Sequence, residues 1–222
     1  MEEFKLKDTD REDIEDLLKK IEKSFDIKFY EGELKHIKTF GELCDYIINK
    51  IELDNADDCT SQQSFYKIRT AISEELHIDN IRITPETLLD ETFPKPGRRK
   101  KIKRIEQNLG FKISILEPPT WVTVLFVLIL LFSIIGLFFN VVYGFSGIIF
   151  SVIGQIMANK TGTILNVNTL GELSEKITME HYLKSRRNPK TINRNELEKI
   201  LTDWFSKDLL LDKSELQRDS KL

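Results

Sequence analysis

Residues 121–158 read WVTVLFVLILLFSIIGLFFNVVYGFSGIIFSVIGQIMA and contain no charged side chain. As one straight helix these 38 residues would extend about 57 Å, nearly twice the roughly 30 Å of a bilayer core. Two helices of about 18 residues each match that thickness. We therefore predict a helical hairpin whose turn falls near residues 140–144, where the segment has a polar residue and a glycine.

Basic residues flank this segment on both sides. Upstream, residues 98–104 carry six basic side chains in seven positions. The downstream basic residues are Lys160, Lys184, Arg186, Arg187 and Lys190. Positive charge marks the cytoplasmic side of a membrane, so both flanks are expected there. We predict that residues 120–158 form a transmembrane hairpin in the inner (cytoplasmic) membrane, with both chain termini in the cytoplasm.

Two alternatives to a two-span hairpin stay open. The apolar segment can form a buried hairpin in a soluble protein, although soluble cores rarely run this long without a charge. Its second half can instead be re-entrant or interfacial, because Gly144, Gly147, Gly154 and Gln155 weaken its apolar character.

The rest of the chain is polar and lacks the motifs of catalysis. The 222 residues include 33 Lys+Arg, 36 Asp+Glu, 3 His and 2 Cys, with a formal net charge of −3. Two Cys without paired spacing and three scattered His predict neither a zinc site nor a disulfide framework. Nucleotide-binding, metalloprotease and esterase motifs are missing from the sequence. We therefore expect no metal, no cofactor, no catalytic residues and no enzymatic activity.

Three helical patterns outside the hairpin occur twice in the sequence. In the first pattern a Thr is followed three residues later by a Glu. Together these two residues predict a capping box at the start of an apolar helix. We name the three patterns the capped, middle and opening helices. The pairs are residues 37–43 with 167–173 (capped), 21–29 with 105–113 (middle), and 68–89 with 201–222 (opening), the last at a constant offset of 133.

The order of these helices predicts two repeated units. Residues 62–115 with 163–184 hold one complete set, into which the hairpin of residues 120–158 is inserted. Residues 1–52 with 191–222 hold a second set that is split between the chain ends, as in a circular permutation. In that second set we expect α-helical stripes to pack together: Leu201, Trp204 and Phe205 on Leu17, Leu18, Ile21 and Phe25. Alternatively, the C-terminal helix completes the unit of a neighbouring chain, so the sequence leaves the oligomeric state open.

The succession of helix, long loop, helix, short link and capped helix resembles the acyl carrier protein fold. Residues 17–46 are similar to the second half of a carrier, and residues 65–89 to its first helix and following loop. The arrangement with an inserted hairpin also resembles membrane-linked, carrier-like bacterial proteins without an assigned function. The resemblance implies an all-α fold of two carrier-like units, one split between the chain ends, plus a transmembrane helical hairpin.

The sequence departs from the carrier family at the residue that carries the prosthetic group. A working carrier has a serine at the start of the middle helix, and this serine bears phosphopantetheine. Arg11 and Lys95 occupy that position in the two units, and neither has a hydroxyl. We therefore expect a membrane-anchored, non-catalytic interaction or scaffold protein built from degenerate carrier-like modules. The alternative is a true carrier or accessory subunit in membrane-associated acyl or lipid metabolism.

Two charged regions are candidate contact surfaces. The basic run has three interpretations, namely an exposed helix face, a contact with anionic lipid, or a nucleic-acid site. Its residues are Arg98, Arg99, Lys100, Lys101, Lys103 and Arg104. Residues 1–60 carry a net charge of −8, from 10 basic and 18 acidic residues, which argues against nucleic acid. Since carriers present acidic helices to basic partner enzymes, this acidic N-terminal unit predicts a protein-docking surface.

Overall fold

The computed structural model describes residues 9–221, and for Arg11 the backbone alone. Helices dominate these residues, so the predicted all-α class is confirmed in its coarse form. In chain order the α-helices of the described chain are α1 (Arg11–Phe25), α2 (Phe40–Lys50), α3 (Thr60–Leu76), α4 (Leu89–Thr92), α5 (Arg98–Leu109), α6 (Thr120–Gly136), α7 (Val141–Thr161), α8 (Leu170–Glu180), α9 (Tyr182–Ser185) and α10 (Arg194–Asp208). Two-residue strands also occur, namely β1 (Asp54–Asn55), β2 (Leu116–Glu117), β3 (Ile164–Leu165) and β4 (Thr191–Ile192).

The described chain forms two compact units, residues 9–68 with 174–221 and residues 69–173. Residues 1–8 and Leu222, which the sequence assigned to the split unit, lie outside the described residues. Helices α3 and α8 contribute residues to both units. The first unit is wider than the predicted split unit of residues 1–52 with 191–222, because it also includes parts of α3 and α8.

The first unit has a hydrophobic core to which both ends of the chain contribute. Apolar stripes of α1, α2 and α10 meet there, together with Tyr182 of α9. The rings of Phe40 and Phe205 lie 5.3 Å apart, and those of Phe25 and Tyr182 lie 5.0 Å apart. Trp204 is 2% exposed. Strand β1 pairs with β4 in parallel, with Asp54 opposite Thr191, which adds a backbone link between distant parts of this unit.

Local sequence sets the helix ends of the first unit. Helix α1 stops at Phe25 because Asp26 adopts a left-handed conformation, with φ of 53°. Helix α2 starts with a complete capping box between Thr39 and Glu42, in which the Glu42 amide donates to Thr39 Oγ1 at 3.2 Å. Thr39 also forms an antiparallel bridge with Lys221, so the C-terminal tail lies against the start of α2.

The second unit repeats some of these features around its own buried residues. Leu89, Phe93, Ile102, Ile105 and Phe111 are buried. Leu88 forms an antiparallel bridge with Thr169, at the start of α8. Helix α5 ends at Leu109, and the following Gly110 has the left-handed φ of 76° that glycine adopts without strain.

The apolar hairpin is inserted into the second unit between β2 and β3. These strands pair antiparallel, with Leu116 opposite Leu165, so the chain leaves the unit and returns to it at one place. The turn comes earlier than the predicted residues 140–144, because α6 ends at Gly136 and α7 already begins at Val141. The turn ends at Asn140 because the side chain of this residue caps α7 and so fixes where the helix starts.

Candidate membrane-facing site

Helices α6 and α7 expose an unusual amount of apolar surface. Large side chains are exposed along both helices, and at the turn Phe138 is 89% and Phe139 is 87% exposed. Among the described residues, α7 is long and apolar enough to cross a membrane, with 21 residues. Helix α6 is also apolar but has 17 residues, which corresponds to about 25 Å at 1.5 Å per residue. An exposed apolar surface of this size marks a contact with lipid or with another protein.

Small residues of α7 allow the two helices to approach closely. A side chain at Gly147 would come within 3.0 Å of Ser133, and one at Gly154 would come that close to the ring of Phe126. Ser151 donates a hydrogen bond from Oγ to the carbonyl of Phe126 at 2.6 Å. Side chains of α6 therefore pack directly against glycines of α7 and an interhelical hydrogen bond joins the helices, as is common where lipid replaces water.

The turn of the hairpin satisfies most of its own backbone donors. The amides of Leu137, Phe138, Phe139 and Asn140 bond to carbonyls of the last turn of α6. Asn140 Oδ1 accepts from the amides of Val142 and Tyr143 at 3.0 and 3.3 Å. Backbone groups bonded in this way do not need water, so an apolar surrounding of the turn is energetically tolerable.

The base of the hairpin is narrow and held by polar contacts. Gly162, directly after α7, approaches the backbone of Glu117 so closely that a side chain would come within 3.0 Å of it. Asn166 Nδ2 donates to Glu117 Oε1 at 2.7 Å across the β2–β3 pair. The hairpin is thus fixed to the rest of its unit at the point where the apolar sequence ends.

The six side chains of the predicted basic run have different surroundings in the structure. Arg98 is 1% exposed and cannot contact lipid as predicted, because its guanidinium is used inside the protein. It donates to the carbonyl of Phe93 at 2.5 Å and of Thr163 at 2.7 Å, and it pairs with Asp90. A buried guanidinium needs such partners to offset the loss of water.

The other members of the run lie at or near the surface. Arg99 is exposed and donates to the carbonyl of Gly162 at 3.1 Å. Lys101 is half-buried, and Arg104 pairs with Glu75 at 3.0 Å. Lys100 and Lys103 are exposed, and neither forms an ion pair within residues 9–221. Three of the six predicted lipid contacts, Arg99, Lys100 and Lys103, thus have the exposure for that role and no competing ion pair with a described residue.

The two positions predicted from sequence to replace the carrier serine lie at or near helix starts. Lys95 is exposed in the turn that precedes α5. Arg11 is the first residue of α1, and its side chain lies outside the described part. Within residues 9–221, no three His, Cys, Asp or Glu side chains are arranged to hold a metal ion.

Helix α1 contributes acidic side chains to the surface of the first unit. Its carboxylates at Glu12, Asp13 and Asp16 are exposed. Asp16 forms an ion pair with Lys19 at 2.9 Å, and the hydrogen bond from this lysine lowers the pKa of the Asp16 carboxyl. The Asp16 carboxyl therefore keeps its negative charge at neutral pH, and the Glu12 and Asp13 side chains are exposed beside it.

Comparison with protein-family models, characterised proteins and solved structures finds no match to this chain.

Sequence reasoning missed a buried polar network in the first unit. Arg186, which the sequence placed in the basic flank of the hairpin, is in fact 1% exposed. Its guanidinium donates to Thr60 Oγ1 at 2.6 Å and to the carbonyls of Ala56 and Asp58 at 3.1 Å. The spacing of Tyr182 and Arg186 places both on one side of a helical turn, but only tertiary structure brings Thr60 to them.

This network ties the segment before α3 to the segment before α10. Tyr182 accepts the amide of Asn193 at 3.0 Å, and its hydroxyl lies 3.2 Å from Glu196 Oε1. Burial raises the pKa of Tyr182, so the hydroxyl stays protonated at neutral pH. Burial also lowers the pKa of Lys67, which donates to the carbonyls of Lys184 and Arg186. Because these buried polar groups form hydrogen bonds with one another, we assign the network a structural role.

Proposed function

We propose that this protein is a membrane-anchored, non-catalytic interaction or scaffold protein built from two degenerate acyl-carrier-like modules. The observation that carries the proposal is the α6–α7 hairpin, whose large apolar side chains are exposed while the rest of the chain is rich in charge. In water this surface would drive association, whereas in a bilayer it is stable.

In this proposal both hairpin helices enter the inner membrane of a bacterium and both chain termini stay cytoplasmic. Basic residues on both sides of the hairpin favour this orientation. The internal hydrogen bonds of the turn at Asn140 support its placement in or across the bilayer, since few of its backbone donors would need water there. Small residues on α7 support packing of two helices within lipid rather than a single span.

The carrier-like modules are supported by tertiary contacts that occur twice. In two of the three pairs, a backbone amide at the start of a capped helix donates to a carbonyl of the loop after an opening helix. In the third pair, a serine near the end of an opening helix donates to a carbonyl five residues later. Within each pair, the residues in the opening region differ by the predicted offset of 133. The matching contacts are Phe40 N–Ser220 O and Leu170 N–Thr87 O, Gly41 N–Arg218 O and Gly171 N–Pro85 O, and Ser206 Oγ–Leu211 O and Ser73 Oγ–Ile78 O.

The partner in this proposal is a protein with a basic surface that binds the acidic face of α1. Exposed carboxylates at Glu12, Asp13 and Asp16 support a charge-guided contact of this kind. Because the hairpin would anchor the chain to the membrane, the partner is expected among membrane-associated proteins. A true carrier, the alternative function, would instead need a modified serine.

The membrane proposal is tested by charged substitutions on the exposed face of the hairpin. Wild-type protein should stay in the membrane pellet after alkaline carbonate extraction. The double variant Leu128→Arg/Ile149→Arg should move to the supernatant or fail to insert, because each arginine near the centre of a span opposes insertion by about 2.5–3.5 kcal/mol. The matched variant Ile81→Arg/Leu210→Arg alters apolar residues outside the hairpin that are even more exposed, and it should stay in the pellet. Extraction of wild-type protein by carbonate would refute membrane anchoring.

A further inference from the structure

The basic side chains of α5 lie beside the base of the hairpin. Helix α5 starts at Arg98, whose guanidinium bonds to the carbonyl of Thr163 at 2.7 Å, and Arg99 bonds to the carbonyl of Gly162 at 3.1 Å. Helix α7 ends at Thr161, directly before these carbonyls. The first turn of α5 is therefore attached to the chain where it emerges from the apolar hairpin.

Positive charge dominates this region. Arg99, Lys100 and Lys103 are exposed on α5, and Lys160 is exposed in the last turn of α7. Nearby carboxylates are largely engaged, since Asp90 pairs with Arg98 and Glu75 pairs with Arg104. Glu117 accepts from Asn166, while Glu91 remains exposed. The four basic side chains thus exceed the two carboxylates of this set, Glu91 and Glu117, that are not paired with an arginine.

The placement of these charges does not stabilise α5 itself. The first turn of α5 contains no acidic residue and has basic residues at Arg98, Arg99 and Lys100. The positive end of the helix dipole disfavours cations there, and α1 has the usual arrangement, with Glu12 and Asp13 in its first turn. Charges that oppose local stability are typical of functional positions.

We infer that Arg99, Lys100, Lys103 and Lys160 bind the phosphate headgroups of anionic phospholipids around the base of the hairpin. This inference rests on the proposed membrane anchoring. If the hairpin occupies the hydrocarbon region, its base lies at headgroup depth, and the attachment of α5 to Gly162 and Thr163 keeps the basic side chains at that depth. Each such lysine or arginine near an anionic surface strengthens the interaction about fivefold.

The position of Trp121 allows this inference to be tested by fluorescence. Trp121 is exposed at the start of α6, close to the base of the hairpin, whereas Trp204 is buried in the first unit. Full-length protein is reconstituted into phosphatidylcholine vesicles that contain a fixed fraction of phosphatidylglycerol. Brominated acyl chains, which quench tryptophan on contact, are placed either on the phosphatidylglycerol or on an equal amount of phosphatidylcholine. The Trp121→Phe protein gives the background from Trp204.

Brominated phosphatidylglycerol should quench Trp121 several-fold more than brominated phosphatidylcholine. In the variant Arg99→Gln/Lys100→Gln/Lys103→Gln the preference should be strongly reduced, because Lys160 is then the one proposed headgroup contact that remains. The control Lys28→Gln/Lys35→Gln/Lys38→Gln removes the same charge from exposed residues of the first unit and should keep the preference. Circular dichroism checks that each variant is folded.

The possible contrary results refute different statements. Equal quenching of wild-type protein by both lipids would overturn the headgroup site and leave membrane anchoring intact. Quenching by neither lipid would overturn the anchoring as well. A preference that stays at the wild-type level in the α5 variant would assign the lipid contact to other residues. Loss of the wild-type preference on addition of a short DNA duplex would assign the basic face to nucleic acid instead.

Discussion

Gly41 donates its backbone amide to the carbonyl of Arg218 at 2.9 Å, which fastens the C-terminal tail to the start of α2. The approach is close because Gly41 has no side chain: a Cβ there would lie 2.7 Å from that carbonyl oxygen. The contact joins residues from opposite ends of the sequence within the first unit. It also provides a direct way to test how strongly the tail stabilises that unit.

Replacing Gly41 by Ala should lower the free energy of unfolding of the first unit by about 1–3 kcal/mol, the usual range for an added methyl group in a packed site. The corresponding Gly171→Ala in the second unit should have a smaller effect, since its Cβ would lie 3.2 Å from the carbonyl of Pro85. Urea denaturation in detergent, monitored by protease susceptibility of each unit, measures both. Equal effects of the two substitutions would contradict this interpretation.

Replacing Trp204 by Ala should destabilise the first unit by about 3–5 kcal/mol, because it removes a buried indole and leaves a cavity. The same protease assay should show early cleavage in residues 9–68. Leu210→Ala is the matched control, since Leu210 is exposed in the same unit and its truncation should change stability by less than about 0.5 kcal/mol. Unchanged protease resistance of the Trp204 variant would argue against a core shared by the chain ends.

Replacing Gly147 by Leu should separate α6 from α7, because any side chain at this position meets Ser133 within 3.0 Å. We expect a loss of about 1–3 kcal/mol, seen as a lower midpoint of thermal unfolding in detergent. Val152→Leu enlarges an exposed residue of the same helix and should leave the midpoint unchanged. If both variants unfold at the wild-type temperature, the interface between α6 and α7 contributes little.

A cysteine in the turn tests the two-span topology. Phe139→Cys in a Cys59→Ser background should react with an impermeant maleimide from outside intact cells, because two spans place the turn on the far side of the membrane. Cys44 can be kept, since burial raises its pKa to about 12 and a protonated thiol reacts slowly at neutral pH. Burial also shields this thiol. Labelling only after the cells are opened, from the inner face, would favour a re-entrant hairpin.

Treatment with a phosphopantetheinyl transferase and coenzyme A should leave the intact mass unchanged, because Arg11 and Lys95 have no hydroxyl to modify. A working acyl carrier protein in the same reaction serves as the positive control. A stoichiometric mass increase on any serine would show that the chain is a true carrier and replace the scaffold proposal.

Several features of the fold followed from sequence because their causes are local. An uncharged run, the apolar stripe of α10 and the Thr–Glu capping boxes act over a few neighbouring residues, so their patterns can be read directly. The hairpin itself was predicted for the same reason, but its turn was placed slightly too late. Asn140 was noted as a polar residue, whereas its role as the cap of α7 depends on backbone geometry.

Only the tertiary structure shows which charged side chains are buried and which are exposed. Arg98 and Lys100 stand two residues apart in one basic run, and sequence treats them alike. Arg98 is buried because the carbonyls of Phe93 and Thr163 and the carboxylate of Asp90 surround its guanidinium, while Lys100 points to the surface. Arg186 is likewise buried by partners from Ala56 to Thr60. A charge can leave water only where distant parts of the chain supply its hydrogen bonds, and that condition is a property of the folded chain rather than of the local sequence.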